Sequence, residues 1–430
     1  MQSPLETLAL RDLVSEVTYE HKGLSMYDLM QGVRVVEVAE HTFVPSAGVV
    51  LADWGADVIK IERTSGGGDP ARSLRILQRP GQKLNTFFEV ANRGKRSVGL
   101  DLTQAAGREL LYRLVKGADV FLTSLRADAR AKLGIEAAEL MAHNPKLIYA
   151  RGTGYGLRGP LAGQGGFDFP SSWCRSGSGF AQTPADGSRP PQQPGSVGDL
   201  TGGATLAGAI SAALFRRERT GKGAIVDHSL YAMGSYIMTQ AITGAALAPP
   251  AAAASMLAPP SGAGNALIRL YATRDGRWLN LCFLQDRWFP DLARRVGRED
   301  LLADPRFADE TSKYMNGEAL IAELDKTFAL RTLAEWNEIL MDAEGVWAPL
   351  LSPAEVARDA QALENGIVTP ILDHDGETYY SAATPGQFDE RPVGALRASP
   401  AYGQHTADVM GELGFDDEEL AVMRASGLLV

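Results

Sequence analysis

The feature that most constrains the fold is an alternation of short β-branched runs with helical segments in the first third of the chain. The first run, Gly32–Ala39 (GVRVVEVA), has the composition of a buried parallel strand. Further strands are predicted at Ala56–Glu62, Asn92–Leu102, Ala118–Ser124 and Lys146–Gly152, with helices between them. Strands that alternate with helices in this way predict a large doubly wound, Rossmann-like α/β domain with right-handed crossovers.

A hairpin signal further along the chain indicates a second, smaller domain. The segment Ile268–Phe283 alternates and carries Asp275–Gly276 at its centre, which is a strong turn signal between two strands. We therefore predict an N-terminal extension at residues 1–31 and a large catalytic domain at 32–228 and 350–430. A linker helix with an Ala/Pro linker is predicted at 229–266, and a small α+β domain at 267–349.

The composition is that of an ordinary globular protein, and it narrows the class of partner. The 430 residues carry a formal net charge of −10, which argues against nucleic acid as a general partner. No charged residue occurs between His228 and Arg269, but proline pairs and polar residues interrupt this stretch, so we expect no membrane span. With two cysteines, Cys174 and Cys282, and no secretory signal, we expect a cytoplasmic protein with reduced thiols.

One acidic residue lies among glycines just ahead of a helix rich in small residues. Asp199 follows Gly198 and precedes Gly202 and Gly203 in the segment GDLTGG, so its carboxylate is presented at a bend that a bulky partner can approach closely. Near a helix start, unpaired N–H groups also favour negative charge. Taken alone, Asp199 is better explained as an N-cap, and it becomes a candidate nucleophile only together with the rest of the chain.

Basic residues are concentrated from the second to the third predicted strand. Nine of them fall in this stretch, against the three acidic residues Glu62, Asp69 and Glu89. The excess predicts a small polyanionic ligand, although solvated loop charge would give the same pattern. The basic residues are Lys60, Arg63, Arg72, Arg75, Arg79, Lys83, Arg93, Lys95 and Arg96.

Several segments occur in an order that is typical of one family. They are GVRVVEVA with GADVIKIER, NRGKRSVGLDL, ADVFLTSLR with KLG, LIYARGTGYG, GDLTGG with TGKGAIVDHSL, and YGQHTADVMGELG. Together they resemble the family III CoA transferases, also called the CaiB/BaiF family, which include formyl-CoA transferase and the carnitine-pathway CoA transferase. The resemblance runs from about Gly32 to the end of the chain.

The resemblance implies a reaction, its substrates and a state of assembly. Asp199 occupies the aspartate of the family's Gly-Asp motif and would be the nucleophile, forming an aspartyl-acyl anhydride and then an aspartyl-CoA thioester. Asp168 is a candidate for orienting the nucleophile or the substrate, with a simple turn residue as the alternative. The family implies coenzyme A, as acyl-CoA, and a carboxylic acid as substrates, no metal, no tightly bound cofactor, and an interlocked homodimer.

The resemblance also implies a CoA site on the large domain. Arg63 would lie at the adenine and ribose end of CoA, and His41 and Thr42 would face the thioester. Thr42 replaces a glutamine, which argues against an oxalate-type acceptor. Lys132 keeps the charge of a family arginine but loses its bidentate geometry. The loop Ser261–Asn265 corresponds to a glycine loop that excludes water. The other residues expected at the site are Leu100, Thr103, Ser124, Arg126 and Gly198.

Other functions stay open at this point. The related 2-methylacyl-CoA racemases share Asp199 but pair it with a histidine at the position of Phe167, and phenylalanine cannot move a proton, which favours the transferase. A nicotinamide-dependent dehydrogenase would need a G-x-G-x-x-G turn after the first strand, which is missing. A non-catalytic CoA-binding protein is a further alternative. Cys174 is predicted to be a packed thiol, and His228 and His405 to serve structure.

Overall fold

The computed structural model describes residues 27–76, 84–184, 186–249, 264–391, 393 and 396–430. These residues form two compact units. The larger unit takes the described residues up to 182, from 190 to 254 and from 360 to the end of the chain, and the smaller unit takes those from 183 to 189 and from 255 to 359.

A six-stranded parallel sheet organises the larger unit. Its strands are β1 (Arg34–Val38), β2 (Asp57–Glu62), β3 (Arg96–Gly99), β4 (Val120–Thr123), β5 (Ile148–Thr153) and β6 (Ala224–Ser229). The strand order is β3-β2-β1-β4-β5-β6, and every neighbouring pair is parallel. The direction of winding reverses between β1 and β4, where the loops at the carboxyl ends of the strands border a crevice. The predicted doubly wound α/β class is confirmed.

The sequence prediction contained five of these strands and missed β6. We interpreted Thr220–Asp227 as a turn leading into another element, whereas the chain from Ala224 to Ser229 pairs with β5 along its whole length. β6 is at the edge of the sheet, and exposed residues alternate with partly buried ones along it. Such a strand lacks the continuous apolar run by which buried parallel strands are identified, so its pattern in the sequence is weak.

The helices divide some segments that the sequence predicts as single helices. In chain order they are α1 (Phe43–Asp53), α2 (Thr86–Asn92), α3 (Ala105–Lys116), α4 (Ala127–Leu133), α5 (Ala137–His143), α6 (Ser178–Ala181), α7 (Val197–Thr220), α8 (Leu230–Ile237), α9 (Thr239–Leu247), α10 (Phe289–Arg295), α11 (Asp300–Ala303), α12 (Glu310–Met315), α13 (Gly317–Phe328), α14 (Leu333–Leu340), α15 (Pro353–Val356), α16 (Ala360–Glu364), α17 (Thr406–Glu412) and α18 (Asp417–Ala425). The prediction of one linker helix within 229–266 is wrong, because α8 and α9 are separate helices.

Two small sheets complete the fold. In the smaller unit, β7 (Ile268–Ala272), β8 (Trp278–Cys282) and β9 (Trp347–Pro349) form an antiparallel sheet in that order. The hairpin predicted around Asp275–Gly276 is confirmed, with a φ of 72° at Gly276. In the larger unit, β10 (Val368–Leu372) lies between β11 (Thr378–Ala382) and β12 (Leu396–Arg397).

The long helix α7 packs on α1 through glycines. A Cβ on Gly202 would lie 2.7 Å from the Phe43 ring. A Cβ on Gly203 would overlap Ser46 Oγ and lie 2.9 Å from both Ala47 N and Phe43 O. Because glycine has no side chain, the two helix backbones approach more closely than any other residue would allow. The contact holds the amino end of α7 next to the loop that follows β1.

Helix α7 is also the one helix within the described ranges that is long and apolar enough to cross a membrane, judged by length and composition alone. Its buried side chains, which include Leu206, Ile210 and Leu214, pack in the core on one face of the six-stranded sheet. The core helix of a globular protein meets the same criterion, so the helix is weak evidence for a membrane.

Replacing Gly203 by alanine is expected to lower the thermal stability of the protein. The added methyl group has to push α7 away from α1, and overpacking of this kind costs about 1–3 kcal/mol. Gly208→Ala is the matched control on the same helix, because a Cβ there meets no atom within 4 Å and alanine is the better helix former. Thermal unfolding measures both variants, and equal shifts in the two would contradict the close contact.

Candidate active site

Asp199 lies in the first turn of α7 with its carboxylate unpaired. The N-cap of this helix is Ser196, so the interpretation of Asp199 as an N-cap is wrong. No hydrogen bond to the Asp199 carboxylate occurs within the described part of the chain, whereas its backbone oxygen accepts one from Ser46 Oγ at 3.1 Å. The backbone is therefore anchored to α1, and the carboxylate oxygens keep their lone pairs available.

The electrostatic environment of Asp199 favours its protonated form. Burial raises the pKa of Asp199 to about 7, and the nearby charge of Asp168 raises it in the same direction. Both causes act against ionisation, since the first removes water and the second adds a like charge. Near neutral pH the group is therefore divided between the acid and a poorly solvated carboxylate.

Asp168 is buried and holds the start of α7 in place. Its carboxylate accepts hydrogen bonds from Gly198 N–H at 3.0 Å, from Gln193 Nε2 at 3.0 Å and from Ser172 Oγ at 2.5 Å. Asp168 directly precedes the π-helical turn Phe169–Cys174, which carries Ser172. At Gly198 a Cβ would overlap both Ser172 Oγ and Asp168 Oδ1, so only glycine fits. Asp168 therefore fixes the residue directly before the candidate nucleophile.

The loop between β1 and α1 carries His41 and Thr42. His41 has a φ of 67°, a left-handed conformation that is uncommon outside glycine. Its N–H donates to Asp69 Oδ1 at 3.2 Å, and its ring lies edge-on to that of Phe167 with the centroids 5.2 Å apart. Thr42 is fully buried, and its Oγ1 has no hydrogen-bond partner in the ranges that the structure describes. The proximity of His41 to Phe167 could not be read from the sequence.

A cluster of buried charges lies beneath this loop. We call it the Lys60 cluster, and it consists of Lys60, Glu37, Asp69 and Lys95. Lys60 Nζ lies 3.2 Å from Glu37 Oε1 and 2.9 Å from Asp69 Oδ2, and Lys95 Nζ lies 2.7 Å from Glu37 Oε2. At most 1% of any of these side chains is exposed. Through Asp69 the cluster holds the backbone of His41 in its left-handed conformation.

The two lysines of the cluster respond differently to burial. Burial alone would lower the pKa of either group, because it disfavours the charged form. At Lys60 the acidic neighbours, Asp69 first, outweigh burial and hold the pKa above its ordinary value. At Lys95 burial lowers the pKa to about 8, in spite of the charge of Glu37. Lys60 is therefore the permanent cation of the cluster, and Lys95 is the group that would lose its proton first.

The chain can now be compared with known proteins. A family model described as CoA-transferase family III matches residues 30–406. The chain belongs to CoA-transferase family III. The enzyme class predicted from the sequence is confirmed, and a nicotinamide-dependent dehydrogenase is excluded.

Relatives of this family III CoA transferase align over nearly their whole length. The chain is 30% identical over 394 residues to (R)-2-hydroxy-4-methylpentanoate CoA-transferase of Clostridioides difficile, covering 91% of this chain and 97% of the relative. It is 31% identical over 420 residues to succinyl-CoA–D-citramalate CoA-transferase of Chloroflexus aurantiacus, covering 93% and 98%. The crystal structure of a CaiB/BaiF family protein from Brucella suis superposes with a TM-score of 0.74 at 30% identity, covering 89% of this chain and 99% of that chain.

Most of the described basic residues in the stretch predicted to bind a polyanion form ion pairs with carboxylates of the protein. Lys60 and Lys95 are buried in the Lys60 cluster, and the other paired members are Arg63 with Glu40, Arg72 with Glu62, Arg93 with Asp53, and Arg96 with Asp57 and Glu412. Arg79 and Lys83 lie outside the described residues. These residues are not free to form one basic surface, because a count along the sequence misses partners that the fold brings in, such as Glu37 on β1, Asp53 on α1 and Glu412 on α17. Binding of a polyanion by the remaining basic residues stays a prediction.

Several residues of the predicted CoA site lie at the carboxyl edge of the sheet. Arg63 follows β2 with about half of its side chain exposed, and Arg126, which follows β4, is exposed. Ser124 Oγ accepts a hydrogen bond from Glu40 N–H at 2.9 Å, which joins the loops after β4 and β1. Lys132 is exposed on α4. The structure leaves these cations accessible, and their contact with CoA stays a prediction.

Two other residues predicted for the CoA site, Leu100 and Thr103, have side chains that are buried or bonded within the protein. Leu100 is fully buried in the core and bridges to Leu429, so its side chain cannot line a binding site. Thr103 is exposed, but its Oγ1 donates to Asp101 Oδ1 at 2.6 Å and the N-cap of α3 is Gln104. The Thr103 side chain is therefore bonded to Asp101 and does not cap α3. Of the predicted loop Ser261–Asn265, residues 261–263 lie outside the described residues.

The structure also gives the exposure of Cys174 and the surroundings of His228. Cys174 is exposed, so the prediction of a packed thiol is wrong. His228 lies on β6 with its ring 5.7 Å from that of Phe43, and burial lowers its pKa, which favours the neutral form. Its buried Nε2 has no hydrogen-bond partner among the residues described. Ser172 and Gln193, which position Asp168, were missed because neither belongs to a recognisable motif.

Replacing Asp199 by asparagine is expected to stabilise the fold, and more strongly at pH 8 than at pH 5. The pKa of Asp199 rises from 3.8 to about 7 on folding, so the folded protein keeps this proton longer than the unfolded chain does. The contribution of Asp199 to stability therefore falls as pH rises through this window. The difference in unfolding temperature between variant and parent protein measures the effect, and a difference independent of pH would contradict the raised pKa.

Proposed function

We propose that the protein transfers CoA from an acyl-CoA donor to a carboxylic acid acceptor through covalent intermediates on Asp199. Membership of CoA-transferase family III gives the class of reaction. The observation that supports Asp199 as the carrier is its unpaired carboxylate in the first turn of α7, with a pKa raised to about 7. A carboxylate in this state can act as a nucleophile on a thioester near neutral pH.

The proposed reaction has four covalent steps, and in each step one bond forms as another breaks. The Asp199 carboxylate attacks the thioester carbonyl, the C–S bond breaks, and CoA leaves as a thiolate, which gives a mixed anhydride. The thiolate then attacks the aspartyl carbonyl, forming an aspartyl-CoA thioester and releasing the donor acid as a carboxylate. The acceptor carboxylate attacks this thioester in turn, forming a second anhydride and the CoA thiolate. Attack of the thiolate on the acceptor carbonyl yields the new acyl-CoA and restores Asp199.

The surrounding residues have positioning and binding roles in this proposal. Asp168 fixes the first turn of α7 through Gly198 N–H and keeps the Asp199 pKa high. His41 and Thr42 lie in the loop that would face the thioester. Arg63, Ser124, Arg126 and Lys132 would hold the nucleotide part of CoA. Loop 261–265 would exclude water from the anhydride, which water would otherwise hydrolyse.

The acceptor we propose is a carboxylic acid with an apolar body. The side chains of Phe167 and Phe169 beside Asp168 are 62% and 41% exposed, which gives the surroundings of the site an aromatic character. Two relatives are named for (R)-2-hydroxy-4-methylpentanoate and D-citramalate, a branched hydroxy acid and a dicarboxylic hydroxy acid. A branched hydroxy acid suits the aromatic surroundings better than oxalate does.

The proposal includes a homodimer, which the family resemblance implies to be interlocked. Large apolar side chains on the helices after Asp199 are exposed in the single chain. Phe215 is 62% exposed, Tyr236 75% and Leu247 80%. Exposed apolar side chains in such number are typical of a surface that another chain covers.

Replacing Asp199 by alanine is expected to reduce the transfer of CoA by about three orders of magnitude or more, because the covalent carrier is lost. Glu218→Ala is the matched control, since it removes an exposed carboxylate from the same helix and should leave activity unchanged. Activity is measured with a panel of acyl-CoA donors and carboxylic acids, and the adduct is mapped by mass spectrometry after trapping with hydroxylamine or borohydride.

Two results of this experiment would contradict the proposal. The first is an adduct on any residue other than Asp199. The second is incorporation of solvent deuterium at the α-carbon of the acyl-CoA without an acceptor. That outcome would indicate the racemase reaction, for which His41, adjacent to Phe167, would be the candidate second base.

Replacing Asp168 by asparagine is expected to shift the acidic limb of the pH profile to lower pH. The nucleophile reacts as the carboxylate, so kcat/KM should rise as pH passes through about 7 in the parent enzyme. Asparagine removes the like charge but not the burial, so the midpoint should fall without reaching the ordinary value of about 4 for aspartate. Glu218→Gln makes the same charge change on α7 away from the site, and an equal shift in this control would refute the direct effect.

A further inference from the structure

A second cavity lies in the larger unit, between the amino end of edge strand β3 and the small sheet of β10 and β12. Its volume is about 370 Å³. Five of its lining residues are basic and none is acidic, although the whole chain carries a net charge of −10. The basic lining residues are Lys95, Arg96, His374, Arg397 and His405. None of them belongs to the surroundings of Asp199.

The cations of this cavity differ in what they can still bind. Lys95 Nζ is occupied by Glu37, and the Arg96 guanidinium is shared between Asp57 and Glu412. Arg397 lines the cavity and is exposed, and it forms no ion pair with the residues that the structure describes. Its position is fixed by the pairing of Arg397 with Leu372 in β10. Among the described residues, the Arg397 guanidinium is therefore the cation of this cavity best placed to bind a ligand.

The neutral polar groups of the cavity also present donors. His405 Nδ1 accepts a hydrogen bond from Ser97 N–H at 3.2 Å, so in the neutral ring the proton lies on Nε2. Gln404 Oε1 accepts from Ala401 N–H at 2.8 Å, which leaves its amide NH₂ to donate. In both residues the acceptor atom is occupied within the protein. The remaining atoms are N–H groups.

Four charged or titratable groups act on His405, namely Arg96, Asp408, His374 and Arg397. Burial lowers the pKa of His405, and Arg96, His374 and Arg397 lower it further, while Asp408 acts in the opposite sense. His374 is itself fixed, since its Nε2 lies 2.7 Å from Ser399 O. Lys95 and Arg96 are balanced by their carboxylate partners, so an anion in this cavity would chiefly balance the charge of Arg397.

We propose that this cavity binds a small anion that carries a phosphate group. Arg397 would hold two phosphate oxygens with its planar fork, and His405 Nε2–H and the Gln404 amide would donate to the others. No acidic residue lines the cavity, and the nearest carboxylate that acts on these donors is that of Asp408 on His405. A dianionic phosphate matches it better than a single carboxylate, because it has more oxygens to accept and more charge to balance the cations.

The proposal is tested with inorganic phosphate as the probe on the full chain at pH 7 and constant ionic strength. Isothermal titration calorimetry is expected to show saturable binding of one phosphate per chain. Arg397→Gln should raise the dissociation constant for phosphate about tenfold to a hundredfold, as expected for a lost charge-assisted contact. Arg397→Lys should raise the dissociation constant less, because lysine keeps the charge and loses only the bidentate geometry.

Controls separate this cavity from the rest of the protein. Arg424→Gln removes an exposed cation from α18 and should leave phosphate binding unchanged. Asp199→Ala should also bind phosphate as the parent protein does, so the outcome is independent of the proposed reaction. Absence of saturable binding, equal binding by Arg397→Gln, or acetate binding as tightly as phosphate would each overturn the proposal.

Discussion

The ion pairs of the Lys60 cluster are the interaction on which the carboxyl edge of the sheet, with its candidate active site, depends. Lys60 and Lys95 are completely buried, and a buried ammonium is costly unless a carboxylate compensates it. Glu37 on β1 and Asp69 in the loop after β2 supply that compensation. Asp69 then has one oxygen left for His41 N–H, so the charge balance of the interior sets the backbone of the loop that precedes α1.

Close contacts at two glycines fix the position of the candidate nucleophile relative to the sheet. Gly203 brings α7 against α1, and Gly198 lets Asp168 and Ser172 reach the first turn of the same helix. Asp199 is held by its backbone on both sides of this turn, while its carboxylate receives no hydrogen bond within the described residues. Rigid support of the main chain combined with an unsupported side chain is a setting in which a carboxylate becomes reactive.

The sequence predicts the fold class well and the site in part. Among the parallel strands, β1, β2, β4 and β5 each contain a short buried apolar run, and the Asp275–Gly276 turn has its own local signal, so these features could be predicted. The strand β6 could not, because a half-exposed edge strand has no such run. Motif position singled out Asp199 and Asp168 as candidates, and their roles stay predictions. The partners Gln193 and Ser46, the contact of His41 with Phe167, and the pairing of the basic residues arise from long-range packing, which leaves no pattern in the sequence.

The charge balance of the Lys60 cluster constrains how this chain can diverge. The cluster contains two cations and two anions, so loss of any one member leaves an unpaired buried charge, a change that typically costs about 3–5 kcal/mol. Neutral replacement of a pair avoids that cost. Substitutions at Glu37, Lys60, Asp69 and Lys95 should therefore appear together among relatives, in combinations that keep the net charge at zero. A single change at one of these positions would be selected against because it destabilises the fold, whatever its effect on the reaction.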